Sequence, residues 1–309
     1  MVPGISAFHH TGIQSSIDTI KKHNKLLNKI IPDLVTVMAD GSIKVKKSQE
    51  LLQGYLDKEK IIPLVQNFNN DSSVANNLIT DGKATDVFIF NIIDYLDQEK
   101  YSGLCIDIKG IKHEFKEHFN DFIKKAVLEL NTKGYSLSVV IPAKAENNHD
   151  STWSGAYDFK SLGKAANNII IMSTDFHWPG GTPGPIAPLF WVQDVIDYAI
   201  LEIPLEKIYF SFGLYGYDWS LSTEEKAREL GYMEICEIVE KYNTRIEWDQ
   251  ESESPYIRYK SNGHEHELWF ENKRSIEKKI YLVNEFHLQG IVFWKLGQED
   301  PGIWDLFSF

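Results

Sequence analysis

Short apolar runs alternate with segments of helical periodicity along almost the whole chain. A strand alternates its side chains with a period of two residues, whereas an amphipathic helix repeats its apolar positions every three or four residues. The apolar runs predict eight strands: Pro3–Phe8, Asp33–Met38, Lys60–Gln66, Gly103–Lys109, Tyr135–Pro142, Asn167–Ser173, Lys207–Leu214 and Gln289–Leu296. The helical periodicity predicts helices at Ser16–Lys29, Ser48–Leu56, Thr85–Leu96, Lys112–Lys133 and Val192–Leu201.

The alternation of strands with helices indicates an α/β fold. Eight strand-then-helix units are typical of a (β/α)₈ TIM barrel. A doubly wound open sheet more often carries a glycine-rich first turn. The chain contains neither GxGxxG nor GxxxxGK[ST], which argues against the phosphate-cradling folds. We therefore predict a single barrel over residues 1–309.

The connection between the seventh and eighth strands is too long for a simple barrel loop. A helix is predicted over Ser222–Tyr242, because its first residues fit a capping box. Residues Thr244–Phe270 then alternate polar and apolar side chains, and Ser261-Asn262-Gly263 predicts a hairpin turn. We expect a small α+β subdomain near residues 220–272, inserted beside the mouth of the barrel.

Charge and composition narrow the possible partners. The 309 residues carry a formal net charge of −12, which argues against nucleic acid and anionic membrane surfaces because both attract basic patches. The first residues, MVPGISAFHH, lack the basic and apolar regions of a signal peptide, so we expect a cytoplasmic origin. Cys105 and Cys236 are expected to be free thiols.

The functional site of such a barrel forms where the strands end. The strand ends are rich in carboxylates and aromatic residues; they carry Asn67, Asp107, Lys109, Asp175, Tyr215, Tyr217, Asp218 and Trp294. Aromatic rings stack on the apolar face of a pyranose, and carboxylates accept hydrogen bonds from hydroxyls. The strand ends therefore favour a sugar-binding groove.

Several segments resemble glycoside hydrolase family 18, in the branch of spore-cortex-lytic N-acetylglucosaminidases of spore-forming bacteria. The segments are YSGLCIDIKGI (Tyr101–Ile111), YDFKSLGKAANNIIIMSTDFHWPGGTPGPIAP (Tyr157–Pro188), KIYFSFGLYGYDW (Lys207–Trp219), SPYIRYKSNGHEHELWFEN (Ser254–Asn272) and GIVFWKLG (Gly290–Gly297). The resemblance implies a (β/α)₈ barrel, a ligand that contains N-acetylglucosamine, and no cofactor or metal. It also raises association with the spore as an expectation.

Members of this family use the substrate's own acetamido carbonyl to attack the anomeric carbon, so they depart from the two-carboxylate scheme. By resemblance, a glutamate ending the fourth strand protonates the leaving oxygen, and the aspartate two residues earlier orients the acetamido group. A tyrosine after the sixth strand hydrogen-bonds the attacking carbonyl. A tryptophan ending the eighth strand forms the floor of the pocket.

Two of these four positions hold different residues in this chain. Asp107 and Trp294 match the family, whereas Lys109 stands in place of the glutamate and Thr174 in place of the tyrosine; Asp175 keeps the acidic residue that follows. An ammonium of pKa about 10.4 is a poor general acid, and loss of a general acid typically costs ~10²- to 10⁴-fold in rate. We predict a barrel that has lost hydrolytic activity.

The predicted ligand-binding residues combine the two carboxylates with strand-end aromatic and amide side chains; they are Asp107, Asp175, Tyr215, Tyr217, Trp219, Trp178, Trp294 and Asn67. Phe176, Trp178 and Tyr217 either line the groove or pack beneath the insertion. Lys109 is expected to neutralise Asp107, Asp175 or both in a structural ion pair. A Schiff base at this lysine is the minor alternative.

Three functions remain open on these grounds. The first is a non-catalytic module that binds N-acetylglucosamine-containing glycans, such as peptidoglycan or chitin-like fragments. The second is an active hydrolase with a displaced acid, for which Asp175 and Glu146 are the candidates. The third is a structural or partner-binding protein of the spore. The run His264-Glu265-His266-Glu267 is expected to be a solvated hairpin, because strand alternation separates its histidines from its glutamates.

Overall fold

The computed structural model describes residues 4–46 and 56–307 of the chain. The strands in chain order are β1 (Gly4–His9), β2 (Lys29–Pro32), β3 (Val35–Val37), β4 (Ile43–Val45), β5 (Leu64–Asn67), β6 (Gly103–Asp107), β7 (Ser136–Pro142), β8 (Asn168–Met172), β9 (Ile208–Gly213), β10 (Tyr215–Ser220), β11 (Arg228–Gly231), β12 (Glu247–Asp249), β13 (Ser254–Ser261), β14 (His264–Phe270) and β15 (Gly290–Trp294). The helices are α1 (Gln14–His23), α2 (Ser72–Thr80), α3 (Gly82–Glu99), α4 (Lys116–Thr132), α5 (Phe159–Ala165), α6 (Leu189–Glu202), α7 (Tyr232–Lys241) and α8 (Lys273–Glu285).

Ten strands form one curled sheet in the order β2-β1-β15-β9-β8-β7-β6-β5-β3-β4. Its neighbours pair in parallel, except that β4 pairs antiparallel with β3. The strands β2 and β3 are two halves of one bent strand, since β2 pairs with β1 and β3 pairs with β5. A parallel bridge between Ile30 and Ile61 closes the ring. The predicted (β/α)₈ barrel is confirmed.

Side-chain alternation along each strand separates the interior of the barrel from the layer under the helices. Apolar side chains that point inward form a compact cluster: Phe8, Ile31, Ile62, Leu64, Cys105, Val140, Ile170 and Val292. In β6, Ile106 and the following Ile108 belong to the larger cluster beneath the helices. Asp107 therefore shares the inward face of β6 with Cys105. This places a carboxylate at the upper end of the barrel interior. Cys105 and Cys236 are free thiols, as predicted.

The second strand begins earlier than the sequence pattern predicted. The predicted helix Ser16–Lys29 is too long, because α1 ends at His23 and Lys29 opens β2. Asn28 breaks the helical run, since its Oδ1 accepts a hydrogen bond from the backbone N–H of Ile5 at 2.8 Å and so ties the chain to β1. The predicted helix Ser48–Leu56 lies outside the described residues except for its last residue.

A second sheet has five antiparallel strands in the order β11-β10-β14-β13-β12. In the sequence these strands follow β9 and precede α8. The predicted hairpin is confirmed, because Ser261 pairs with His264 across the turn. The predicted helix over Ser222–Tyr242 is wrong in its first half: Arg228–Gly231 is strand β11, and α7 begins only at Tyr232. Here β10 offers the backbone hydrogen bonds that a helix would otherwise supply. The bounds 220–272 for a subdomain stay a prediction.

Among the helices of the described residues, none combines the length and the apolar character that crossing a bilayer requires.

Candidate functional site at the strand ends

The end of β6 presents an ion pair inside the barrel mouth. Lys109 Nζ lies 3.5 Å from Asp107 Oδ2, and the two side chains are 24% and 5% exposed. The same carboxylate oxygen accepts a hydrogen bond from Gln66 Nε2 at 3.1 Å. Lys109 Nζ also lies 3.8 Å from Met172 Sδ, across the barrel on β8. Of the two partners predicted for Lys109, the structure pairs it with Asp107.

Asn67 fixes the backbone on which Lys109 is mounted. Its Oδ1 accepts from the Lys109 N–H at 2.9 Å, and its Nδ2 donates to the Lys109 carbonyl at 3.1 Å and to the Asp71 carbonyl at 2.9 Å. The residue is only 2% exposed. All of its amide groups are thus committed to the backbone. The structure places this predicted ligand-binding residue as a support for position 109.

Asp175 stands at the turn that follows β8. Its φ of 61° lies in the left-handed region, which aspartate tolerates better than most residues. Solvent reaches its side chain. Its Oδ1 accepts hydrogen bonds from the hydroxyls of Tyr215 at 2.5 Å and Tyr217 at 2.9 Å. The two tyrosines hold the carboxylate at the open side of the mouth.

The surrounding protein atoms shift the pKa of the Asp175 carboxyl group. Partial desolvation raises the pKa of Asp175, and the two tyrosine hydrogen bonds oppose that shift. Glu229 adds to the rise and Lys109 opposes it. Burial, together with the nearby negative charge of Asp175, raises the pKa of Tyr215 and of Tyr217. Both hydroxyls therefore stay protonated and act as donors to Asp175.

Trp294 lies at the end of β15 and is partly exposed. Its ring makes edge-to-face contacts with Phe8, at 4.9 Å between ring centroids, and with His10, at 5.5 Å. The Trp294–Lys295 peptide bond is cis. The exposed part of the indole supplies an apolar surface at the end of β15.

Three of the predicted aromatic ligand contacts are packed under the second sheet. Tyr215, Tyr217 and Trp219 share one face of β10 and are 2%, 4% and 3% exposed. Trp219 Nε1 donates to the Gly181 carbonyl at 3.1 Å. The rings of these residues are therefore in the interior, and only the two tyrosine hydroxyls reach a group of the mouth.

Trp178 and Phe176, in contrast, remain available on the loop after β8, with exposed fractions of 54% and 42%. The Trp178 ring covers Gly180, where a Cβ would stand 2.3 Å from a ring carbon. The Gly181 N–H donates to the Trp178 carbonyl at 2.8 Å. Glycine at position 180 lets the Trp178 indole lie against the loop. About half of the Trp178 surface still faces solvent.

Comparisons with known proteins show the family and the fold of this chain. The profile of glycosyl hydrolases family 18 matches residues 65–299. This chain belongs to that family. The cortical fragment-lytic enzyme of Bacillus anthracis is 27% identical over 95% of this chain and 70% of its own length.

Two solved structures share the barrel fold of this chain. The spore cortex-lytic enzyme SleL of Bacillus megaterium has a TM-score of 0.91 and 26% identity, and the match covers 99% of this chain and 73% of that one. A chitinase from Chromobacterium violaceum has a TM-score of 0.92 at 24% identity and covers 99% of this chain and 98% of that one; at this identity the likeness shows the fold alone.

Sequence reasoning missed Glu229, a carboxylate of the mouth that comes from β11. Its Oε1 accepts from Lys295 Nζ at 3.2 Å and from Gln298 Nε2 at 2.9 Å. It stands opposite Tyr217 in the register of β10 and β11. A helix was predicted at this position, and only the strand pairing reveals that the side chain faces the mouth.

Asp218 lies away from the mouth, although it was grouped with the strand-end residues. It occupies the face of β10 opposite to Tyr217, where it accepts from the Tyr259 hydroxyl at 2.7 Å and pairs with His266 Nδ1 at 3.0 Å. Glu267 lies on the other face of β14 and binds Arg258 Nε at 2.8 Å. Within the described ranges, no group of three or more His, Cys, Asp or Glu side chains is arranged to hold a metal ion.

Proposed function

We propose that this family-18 chain is a catalytically degenerate protein that binds N-acetylglucosamine-containing glycans, of the peptidoglycan or chitin-like type. The observation that carries the proposal is Lys109 at the end of β6, paired with Asp107 at 3.5 Å. A protonated amine of ordinary pKa about 10.4 transfers a proton to a leaving oxygen far less readily than a carboxylic acid near the working pH.

The second lost group is the donor to the attacking carbonyl. Thr174 is buried, with 9% of its surface exposed, and its side chain is several atoms shorter than that of a tyrosine. Tyr215 and Tyr217 are near, but each hydroxyl has a single proton and donates it to Asp175. Neither tyrosine supplies the missing donor, and oxyanion-type donors typically contribute about 10²- to 10³-fold in rate.

Features needed for binding are retained. Trp294 at the end of β15 and Trp178 on the loop after β8 are each partly exposed to solvent, and such rings stack on the apolar faces of sugars. Asp175 has an oxygen that neither tyrosine occupies, and carboxylates accept hydrogen bonds from sugar hydroxyls and amides. We expect binding in the micromolar to millimolar range, which is about −8 to −4 kcal/mol. Similarity to cortex-lytic relatives supports spore association as part of this proposal.

A paired assay tests the proposal. A fluorogenic N-acetylglucosaminide measures turnover, and a calorimetric titration with N-acetylglucosamine oligomers measures binding by the same preparation. We expect binding without measurable turnover. Turnover in the range of ordinary enzymes, roughly 1–10³ per second, would contradict the loss of activity. No binding of any oligomer would favour the structural or partner-binding function instead.

An active hydrolase with Asp175 as a displaced acid is the second candidate. Partial desolvation raises the pKa of this carboxyl, and a raised pKa suits a general acid. Glu146 lies exposed on the loop after β7 and does not share that environment. In this alternative, wild type hydrolyses the fluorogenic substrate and Asp175→Asn does not. If Asp175→Asn and wild type are both inactive in the assay, the alternative fails.

A further inference from the structure

The Lys109 ammonium has three N–H donors and no strong acceptor for them. Across residues 4–46 and 56–307, its only hydrogen-bond acceptor is the sulfur of Met172, at 3.8 Å, and a thioether is a weak acceptor. Asp107 is near enough to compensate the charge, at 3.5 Å, but outside hydrogen-bonding geometry. The oxygen it presents already accepts from Gln66.

The backbone that carries the lysine side chain is held in position. The Asn67 side chain hydrogen-bonds both the backbone N–H and the backbone carbonyl of Lys109. The Tyr157 hydroxyl donates to the carbonyl of the preceding residue, Ile108, at 2.7 Å. About a quarter of the Lys109 side chain faces the mouth. A partly exposed ammonium on a fixed backbone can donate hydrogen bonds to a ligand oxygen, and it binds most strongly when that oxygen is anionic.

We propose that Lys109 anchors a carboxylate carried by the sugar, so that the groove selects acidic N-acetylated glycans over neutral ones. This inference rests on the proposed glycan-binding function. The ammonium lies between the ends of strands β6 and β8, beside Asp107 and Met172, so a ring substituent of a sugar bound at the strand ends can reach it.

A matched ligand series tests the charge directly. N-acetylmuramic acid differs from N-acetylglucosamine by a lactyl ether that carries a carboxylate, and its methyl ester keeps the shape without the charge. Binding of all three to wild type is measured by NMR chemical-shift titration at pH 7. A hydrogen bond to a charged group supports a preference of about tenfold or more for the acid over its ester.

Variants connect that preference to one side chain. Lys109→Met is expected to bind acid and ester equally, and Lys109→Arg is expected to keep the preference for the acid. Lys112→Met is the matched control, because Lys112 is 59% exposed and its ammonium pairs with Glu114 instead of Asp107; it should behave as wild type. The comparison of acid with ester in wild type needs no variant, so it stands even if Lys109→Met is unstable.

The outcomes separate this inference from the proposed function. Binding of neutral N-acetylglucosamine oligomers without preference for the acid would overturn the carboxylate anchor and leave the glycan-binding proposal standing. A preference that survives in Lys109→Met would overturn the assignment to Lys109. No binding of any sugar, neutral or acidic, would overturn both.

Discussion

Lys109 Nζ and Asp107 Oδ2 lie 3.5 Å apart at the end of β6, with the aspartate almost fully buried. A glutamate at position 109 would set two carboxyl groups side by side, and such neighbours raise the pKa of one of them, as a general acid requires. A lysine reverses this arrangement, because it places a positive charge beside the aspartate and supplies no carboxylic acid. Under the proposed function, this exchange accounts for the expected loss of hydrolysis, and it leaves the buried carboxylate beside a positive charge.

Restoring activity should need both lost groups. Lys109→Glu alone is expected to recover little hydrolysis, because the attacking acetamide still lacks its donor. Lys109→Glu combined with Thr174→Tyr should recover more than the two single changes together, since the groups act in one transition state. Rates with a fluorogenic N-acetylglucosaminide measure this. Effects that are merely additive would show that the mouth is remodelled beyond these two positions.

Asn67→Ala should destabilise the barrel. The change leaves the partly buried N–H and carbonyl of Lys109 without their side-chain partner, and an unsatisfied buried polar group costs up to about 1–3 kcal/mol. Urea denaturation of the variant and of Asn147→Ala, an exposed control, gives the free energies of unfolding. A loss at Asn67 no greater than the control's, within about 0.5 kcal/mol, would mean that water replaces the bridge.

Lys144 should give stability a specific pH dependence. Burial lowers the pKa of Lys144 from 10.5 to about 8, and its Nζ donates to the Tyr157 carbonyl at 2.6 Å. Between these two pH values the unfolded chain binds more protons than the folded chain, so the free energy of unfolding rises with pH.

Lys144→Met removes this rise, so wild type should gain stability relative to the variant between pH 8 and 10.5. Denaturant titrations across this range measure the difference. Lys124→Met is the control, because Lys124 is 52% exposed and should track wild type. A constant difference between wild type and Lys144→Met would show that the amine has an ordinary pKa in the folded protein.

Tyr217→Phe should raise the pKa of Asp175 further. The Tyr217 hydroxyl donates to the carboxylate at 2.9 Å and thereby lowers its pKa. Carbon-13 NMR of the side-chain carboxyl over a pH titration reports the change. An unchanged or lowered pKa would mean that another donor, such as water, takes the place of the hydroxyl.

Much of the fold could be predicted because the barrel strands are short, apolar and regularly spaced. The bent second strand could not, because the break at Asn28 depends on a hydrogen bond to β1. The strand β11 was also out of reach, since its residues resemble a capped helix until they pair with β10.

The site shows the same division between local and long-range information. Positions Asp107, Lys109, Asp175 and Trp294 could be read from strand ends, because a parallel barrel gathers those ends at one face. Burial of Trp219 and the backbone role of Asn67 depend on neighbours distant in sequence, Gly181 and Lys109. Residue type and strand position alone do not distinguish a ring that lines the groove from one that packs under the second sheet.

The most direct test is a calorimetric titration of wild type, Trp294→Ala and Trp178→Ala with an N-acetylglucosamine tetramer, followed by mass spectrometry of the recovered sugar. The account predicts a heat of binding in wild type, weaker binding in both variants with the larger loss at Trp294, and an intact tetramer throughout. Cleaved sugar would contradict the loss of catalysis, and the absence of any heat in wild type would contradict the retained groove.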